Sequence, residues 1–124
     1  MKGILTAFAI MLFSLSAMAQ EQNAMVSAGE DFSIVKDEVV DGVRYVVAAP
    51  SSIVCSKRID IEIKDDVIQK VVYTRGCDGN AKGIGALIKG MKVDEAIRRL
   101  EGITCGKRPT SCPDQLAKVL KSLK

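Results

Sequence analysis

Cys55, Cys77, Cys105 and Cys112 are the residues of this 124-residue chain with the widest chemistry open to them. A thiolate binds borderline and soft metals, attacks a disulfide, or pairs with a second thiol. A buried free thiol does none of these and packs as a small hydrophobe. The spacing Cys-x21-Cys-x27-Cys-x6-Cys contains no Cys-x-x-Cys and matches no zinc-finger pair. Local context therefore says more than spacing. Cys112 lies in Thr110-Ser111-Cys112-Pro113-Asp114, and the chain has no histidine at all. Without one there is no ready acid–base group at neutral pH and no Ser–His or Cys–His pair. That argues against hydrolase chemistry.

The elements that must position these thiols fall into two halves. Val43–Ala49 reads as a strand ending at Pro50-Ser51-Ser52. Ile59, Ile61 and Ile63 alternate with Arg58, Asp60 and Glu62, a period of two with one apolar face. Asp65-Asp66 makes a turn, and residues 67–73 return as a β-branched strand. The carboxylates of Asp60 and Glu62 then lie on the solvated face. Beyond Gly76 the period lengthens. Ile84, Leu87, Ile88 and Met91 share one helical face, Val93, Ala96, Ile97 and Leu100 a second, and Leu116, Val119, Leu120 and Leu123 a third. Ser111 and Asp114 form the cap of the last helix, with Pro113 in its first turn. The expected fold is α+β: a three-stranded antiparallel meander followed by three helices packed on one face.

This arrangement places each cysteine at the edge of an element. Cys55 ends the loop into the central strand, and Cys77 follows the strand that hairpins back beside it. Cys105 and Cys112 flank a Gly-Lys-Arg-Pro loop. Cys77 precedes one helix and Cys112 opens another, where unpaired N–H groups and the helix dipole favour a thiolate. Four converging thiolates suit tetrahedral Zn(II) or an iron–sulfur cluster. The alternatives are two disulfides, most simply Cys55–Cys77 and Cys105–Cys112, or thiols buried and inert. The run Gly76-Cys77-Asp78-Gly79-Asn80 lacks the Lys-Ser/Thr end of a phosphate loop and reads as a tight turn.

The first residues read as a targeting segment. Lys2 precedes an apolar run over residues 3–16, and Ala17-Met18-Ala19 supplies a cleavage site ahead of Gln20. The expected organisation is a signal peptide over 1–19, a flexible lead-in over 20–42 with a short strand around residues 32–35, and one domain over 43–124. Export to the periplasm follows if the segment is cleaved, and a cytoplasmic location if it is not a signal. The run is too short for a comfortable membrane span, so none is expected in the mature chain. An exported chain favours the two disulfides over metal. The net charge of +3 is small, the basic residues are dispersed, and three Phe and two Tyr make no stacking platform. Nucleic acid is not an expected partner.

Several stretches carry a resemblance to a known family. They are Cys55-Ser-Lys-Arg-Ile-Asp60, Gly76-Cys77-Asp78-Gly79-Asn80-Ala-Lys-Gly83, Gly90-Met-Lys-Val-Asp-Glu95, Cys105-Gly106 and Thr110-Ser-Cys-Pro-Asp114-Gln-Leu. From Val43 to Lys124 the chain resembles the TSCPD domain, which occurs alone and as a C-terminal module of ribonucleotide reductases. The resemblance implies metal binding by all four cysteines and a protein partner such as a ribonucleotide reductase. It also implies a link to deoxyribonucleotide and DNA synthesis, with nucleotide binding as one form of it. It shifts the preference from disulfides to metal. Ribonucleotide reduction itself needs a large radical-bearing barrel, for which this domain has no room. An accessory module is expected rather than a self-sufficient reductase; a thiol redox carrier using Cys105 and Cys112 is the enzymatic alternative. A more distant resemblance is to U-type (NifU/IscU-like) iron–sulfur scaffold proteins, through Cys55, Cys77, Cys112 and the helix 93–100. Lys57 and Ser111 stand where those scaffolds carry aspartate and histidine. With Cys105 as fourth thiol, the implied site is closed and structural rather than exchanging.

Overall fold

The computed structural model describes residues 32–124; the expected signal segment and most of the lead-in lie outside the described residues. Four strands come first: β1 (Phe32–Val40), β2 (Val43–Pro50), β3 (Arg58–Lys64) and β4 (Val67–Thr74). Three helices follow: α1 (Asp78–Ile88), α2 (Val93–Leu100) and α3 (Cys112–Ser122). All neighbours in the sheet are antiparallel and the order is β1-β2-β3-β4.

The sheet therefore has four strands, and the expected three-stranded, NifU/IscU-like meander is corrected. The fourth strand lies in the stretch read as lead-in, where the expected short strand around residues 32–35 runs on to Val40. Asp41-Gly42 takes positive φ at both positions (50° and 78°), the geometry of a tight two-residue hairpin, and folds β1 back on β2. Only the first part of β1 reaches the core, through half-buried Phe32 and Ile34. A bulge between Ile34 and Lys36 then interrupts the alternation. The rest is a charged edge, Lys36-Asp37-Glu38, in which Asp37 receives two hydrogen bonds from Arg44 of β2 at 2.8 and 2.6 Å. Charges of this kind are how an edge strand discourages further pairing. They also give it the composition of a disordered lead.

The core sits between one sheet face and the helices. Val46, Ala48, Ile59, Ile61, Ile68 and Val71 supply the sheet side. Val93, Ala96, Ile97 and Leu100 of α2, and Leu116, Val119 and Leu120 of α3, supply the other as their spacing predicts. The expected stripe of α1 is split: Ile88 is buried, and Ile84 and, beyond the helix end, Met91 pack on the core, but Leu87 is 79% exposed. The cause is how tightly α1 sits on β4. A Cβ on Gly85 would lie 2.6 Å from the Val71 carbonyl oxygen, so only glycine allows this approach. The α1 stripe is thereby centred on Gly85 and Ile88, and Leu87 is turned outward.

Candidate functional site

One end of the sheet gathers the chain ends that carry the thiols. Arg58 of β3 pairs with Thr74 of β4, and the Lys57 N–H donates to the Thr74 carbonyl at 2.9 Å. The loop before β3 holds Cys55, and the segment after β4 holds Cys77, the N-cap residue of α1. Between them Arg75 and Gly76 both take positive φ (64° and 101°), turning the chain sharply into α1. A Cβ on Gly76 would stand 3.5 Å from the Cys55 Cβ and 3.4 Å from the Ser56 nitrogen, so the two loops are packed backbone to backbone. Cys105 lies in the turn between α2 and α3, and Cys112 is the first residue of α3.

A buried polar mount fixes the start of α3 against these loops. Ser111 caps the helix by accepting from the Asp114 N–H at 3.2 Å, and its own hydroxyl donates to the Ile103 carbonyl at 2.6 Å. Asp114 accepts from the Thr110 hydroxyl at 2.5 Å and from the Gly102 N–H at 2.7 Å, with the Lys118 ammonium 3.3 Å away. Gln115 donates to Thr110 Oγ1 at 3.0 Å and accepts from the Ser51 N–H at 2.9 Å. Thr110, Ser111, Asp114 and Gln115 are all buried, and among the described residues no buried side-chain polar atom lacks a partner. Burial pushes the Asp114 carboxyl up, but the bonds from Thr110, Gly102 and Lys118 outweigh it and hold the group below the usual carboxylate range. The mount ties the helix to Gly102 and Ile103, just before Cys105, and to Ser51, just before Cys55.

Above it all four cysteines line a single cavity of about 450 Å3. Its wall is mainly apolar: Ile84, Leu87, Ile103, Ala81 and Pro113, with the exposed Leu87 and Ile103 at the rim. Cys55, Cys77 and Cys105 are exposed and Cys112 is half-buried; none is in a disulfide. The Ser56 hydroxyl, itself buried, donates to Cys112 Sγ at 3.2 Å. The Arg108 guanidinium donates to Cys55 Sγ at 3.3 Å. That bond, then the charge of Cys55 and further those of Cys105 and Cys112, hold the guanidinium still more firmly charged than usual. Tyr73 closes the floor, its hydroxyl donating to the Cys112 carbonyl at 3.2 Å. Burial, with a smaller contribution from the charge of Cys112, pushes its phenol well up, so Tyr73 stays neutral.

The four cysteines singled out in the sequence thus line one cavity. By number and type, four sulfur donors fit a tetrahedral thiolate centre. As they stand, no three cysteine, aspartate or glutamate groups among the described residues form a ligand set for a metal ion. The described residues include no helix long and apolar enough to cross a membrane.

The model of the TSCPD domain matches residues 36–124, nearly all of the described chain. This chain belongs to the TSCPD domain family. Neither a curated protein nor a solved structure matches it. The five residues that name the family do two jobs in this TSCPD domain. Cys112 faces the cavity, and Thr110, Ser111 and Asp114 build the mount beneath it. Sequence reasoning reached Ser111 and Asp114 as caps and overlooked Thr110 and Gln115. Their signal was available: a polar pair flanking a helix start whose Gln115 occupies the buried side. Ser56 and Arg108 were overlooked for a different reason. Their partners lie 56 and 53 residues away, and no local pattern announces such contacts.

Proposed function

We propose that this TSCPD domain is a metal-binding accessory module in which Cys55, Cys77, Cys105 and Cys112 hold a Zn(II) ion. One observation carries the reading: four sulfurs from three separate loops line the same cavity. Two of them, Cys77 and Cys112, stand at helix N-termini; the Arg108 guanidinium donates to the Cys55 sulfur and the Ser56 hydroxyl to that of Cys112. An iron–sulfur cluster is the alternative occupant of the same donors. The bound ion would supply a structural cross-link between the loops. The protein's own part is to hold Cys112 on a fixed helix start and to set the other thiols beside a mainly apolar wall. Because Cys105 sits in an exposed turn, closure onto one ion falls to that turn more than to Cys112.

Family membership supports a partner role beside a ribonucleotide reductase, in the supply of deoxyribonucleotides. The exposed Leu87 and Ile103 at the cavity rim suit contact with a protein. A second reading rests on the close packing of Gly76 against Cys55. In an exported chain, Cys55–Cys77 and Cys105–Cys112 would pair as disulfides. Native mass spectrometry of the chain separates the two readings. Purified under reducing conditions with zinc, the chain should gain one zinc ion and lose about two protons or more, since ligating thiols ionise. A metal-free mass lowered by the hydrogens of two disulfides, unchanged by zinc, would sink the metal reading.

A further inference from the structure

The turn that carries Cys105 has an internal hydrogen bond, from the Arg108 N–H to the Cys105 carbonyl at 3.0 Å. The mount grips the chain on either side of it, at Gly102 and Ile103 and again at Thr110. Between those grips residues 104–109 are exposed. Across the gap, Arg108 Nη1 reaches Cys55 Sγ at 3.3 Å, a link between parts of the chain 53 residues apart. A single side chain thus connects the turn holding one thiol to the sulfur of another.

We propose that Arg108 is the positioning residue of the thiol site: its guanidinium clamps the Cys105 turn to the Cys55 loop and holds both sulfurs at the cavity. The consequence for zinc rests on the metal reading; the clamp itself belongs to the metal-free protein. Two physical properties suit arginine to this task. Its planar fork keeps several donors in fixed directions, so one can hold Cys55 while the backbone of the same residue closes the turn. Its permanent positive charge also offsets the negative charge that gathers when neighbouring thiols ionise, as a donor just outside a metal's ligand set does. An ammonium would retain the charge and lose the fork.

The test uses the full chain and a short-spaced bis-maleimide, which joins two thiols by adding each sulfur across a carbon–carbon double bond. Trypsin leaves each cysteine in a different peptide, so the linked pair is read directly by mass spectrometry. In the metal-free wild type, Cys55–Cys105 links should form readily. Arg108→Gln should lower their yield severalfold relative to single alkylation, and Arg108→Lys should fall between. In competition with a zinc chelator, Arg108→Gln should bind zinc about tenfold more weakly, the lower end of what such outer partners contribute. An unchanged cross-link yield in Arg108→Gln overturns the clamp, whatever zinc does. A lost cross-link with unchanged zinc affinity overturns its role in the site. A wild type that binds no zinc, beside a cross-link lost in Arg108→Gln, sinks the metal reading and upholds the clamp.

Discussion

The start of α3 and the rim of the cavity above it adjoin at Cys112 and are built on opposite terms. Thr110, Ser111, Asp114 and Gln115 are buried, and their side chains are all hydrogen-bonded. Cys55, Cys77 and Cys105 are exposed, and the one hydrogen bond described to their sulfurs comes from the exposed Arg108. The contrast assigns stability to the mount and chemistry to the rim. Buried polar groups that are fully paired specify one arrangement, because any rearrangement leaves a desolvated donor or acceptor without a partner. Exposed thiols can gain a ligand at little cost, since the one bond held by their sulfurs, from Arg108 to Cys55, is itself open to water. Cys112 belongs to both regions, its backbone in the helix and its sulfur in the cavity.

The contrast breaks most easily at Asp114. Asp114→Ala removes the acceptor for the buried Thr110 hydroxyl and for the N–H of the exposed Gly102, at a cost of roughly 2 kcal/mol. Urea unfolding should show the loss as a lower midpoint with unchanged slope. A loss below about 0.5 kcal/mol, the range of surface changes, would mean that the mount carries no weight. The same carboxylate gives a pH signature. Its folded pKa is depressed, so its contribution is fully present above the unfolded value of about 3.9 and disappears as pH falls through the folded value. Asp37, held down chiefly by its hydrogen bond from Arg44, contributes with the same sign. The Asp114 share is therefore the difference between wild type and Asp114→Asn. Wild type should lose stability relative to the variant below about pH 4, and parallel curves there would contradict the assignment.

How much of this was legible in the sequence differs between the same two regions. The helices α2 and α3, the β3–β4 hairpin and the Ser111 cap follow from periodicity and short-range capping, both encoded within a few residues. Of β1 only a short strand around residues 32–35 follows, because its bulge and exposed end break the alternation that marks a strand. The Asp41-Gly42 hairpin signal was the available clue. Leu87 misled because helical periodicity locates an apolar stripe but not the glycine that sets its rotation on the sheet. At the site, the sequence marks all four thiols, and the topology of β3 and β4 explains why Cys55 and Cys77 meet. What it omits are the contacts across long separations, Ser56 to Cys112 and Arg108 to Cys55, which exist only once the sheet end has formed.

A smaller effect sharpens the border between mount and rim. Ser56 is buried and its hydroxyl donates to the Cys112 sulfur. Ser56→Ala removes one hydrogen bond whose acceptor remains partly open to water, so the loss should be about 1 kcal/mol. The same variant should also raise the rate at which Cys112 is alkylated by a maleimide, because the sulfur loses the donor that holds it in place. Peptide mapping after brief labelling would show this. A Cys112 rate equal to that of wild type would place the sulfur wholly in the rim.

The smallest stability effect is expected at the rim itself, and it is the most discriminating. Cys77 is exposed, caps α1 without a side-chain hydrogen bond, and lies where the backbone turn through Arg75 and Gly76 already fixes the helix start. Serine is close in size and a better N-cap, so Cys77→Ser should leave the metal-free protein within about 0.5 kcal/mol of wild type, or slightly more stable. Zinc should reverse that equality. A ligand that binds only the folded state stabilises it in proportion to the logarithm of its concentration over Kd, so wild type should gain in melting temperature with added zinc and Cys77→Ser should gain much less. Equal melting temperatures without zinc and a gap with it would separate the two regions cleanly: the mount holds the fold, and the rim acts only through what it binds. Destabilisation of Cys77→Ser by more than about 1 kcal/mol in the absence of metal would instead make this thiol part of the fold, as packing does for a buried cysteine.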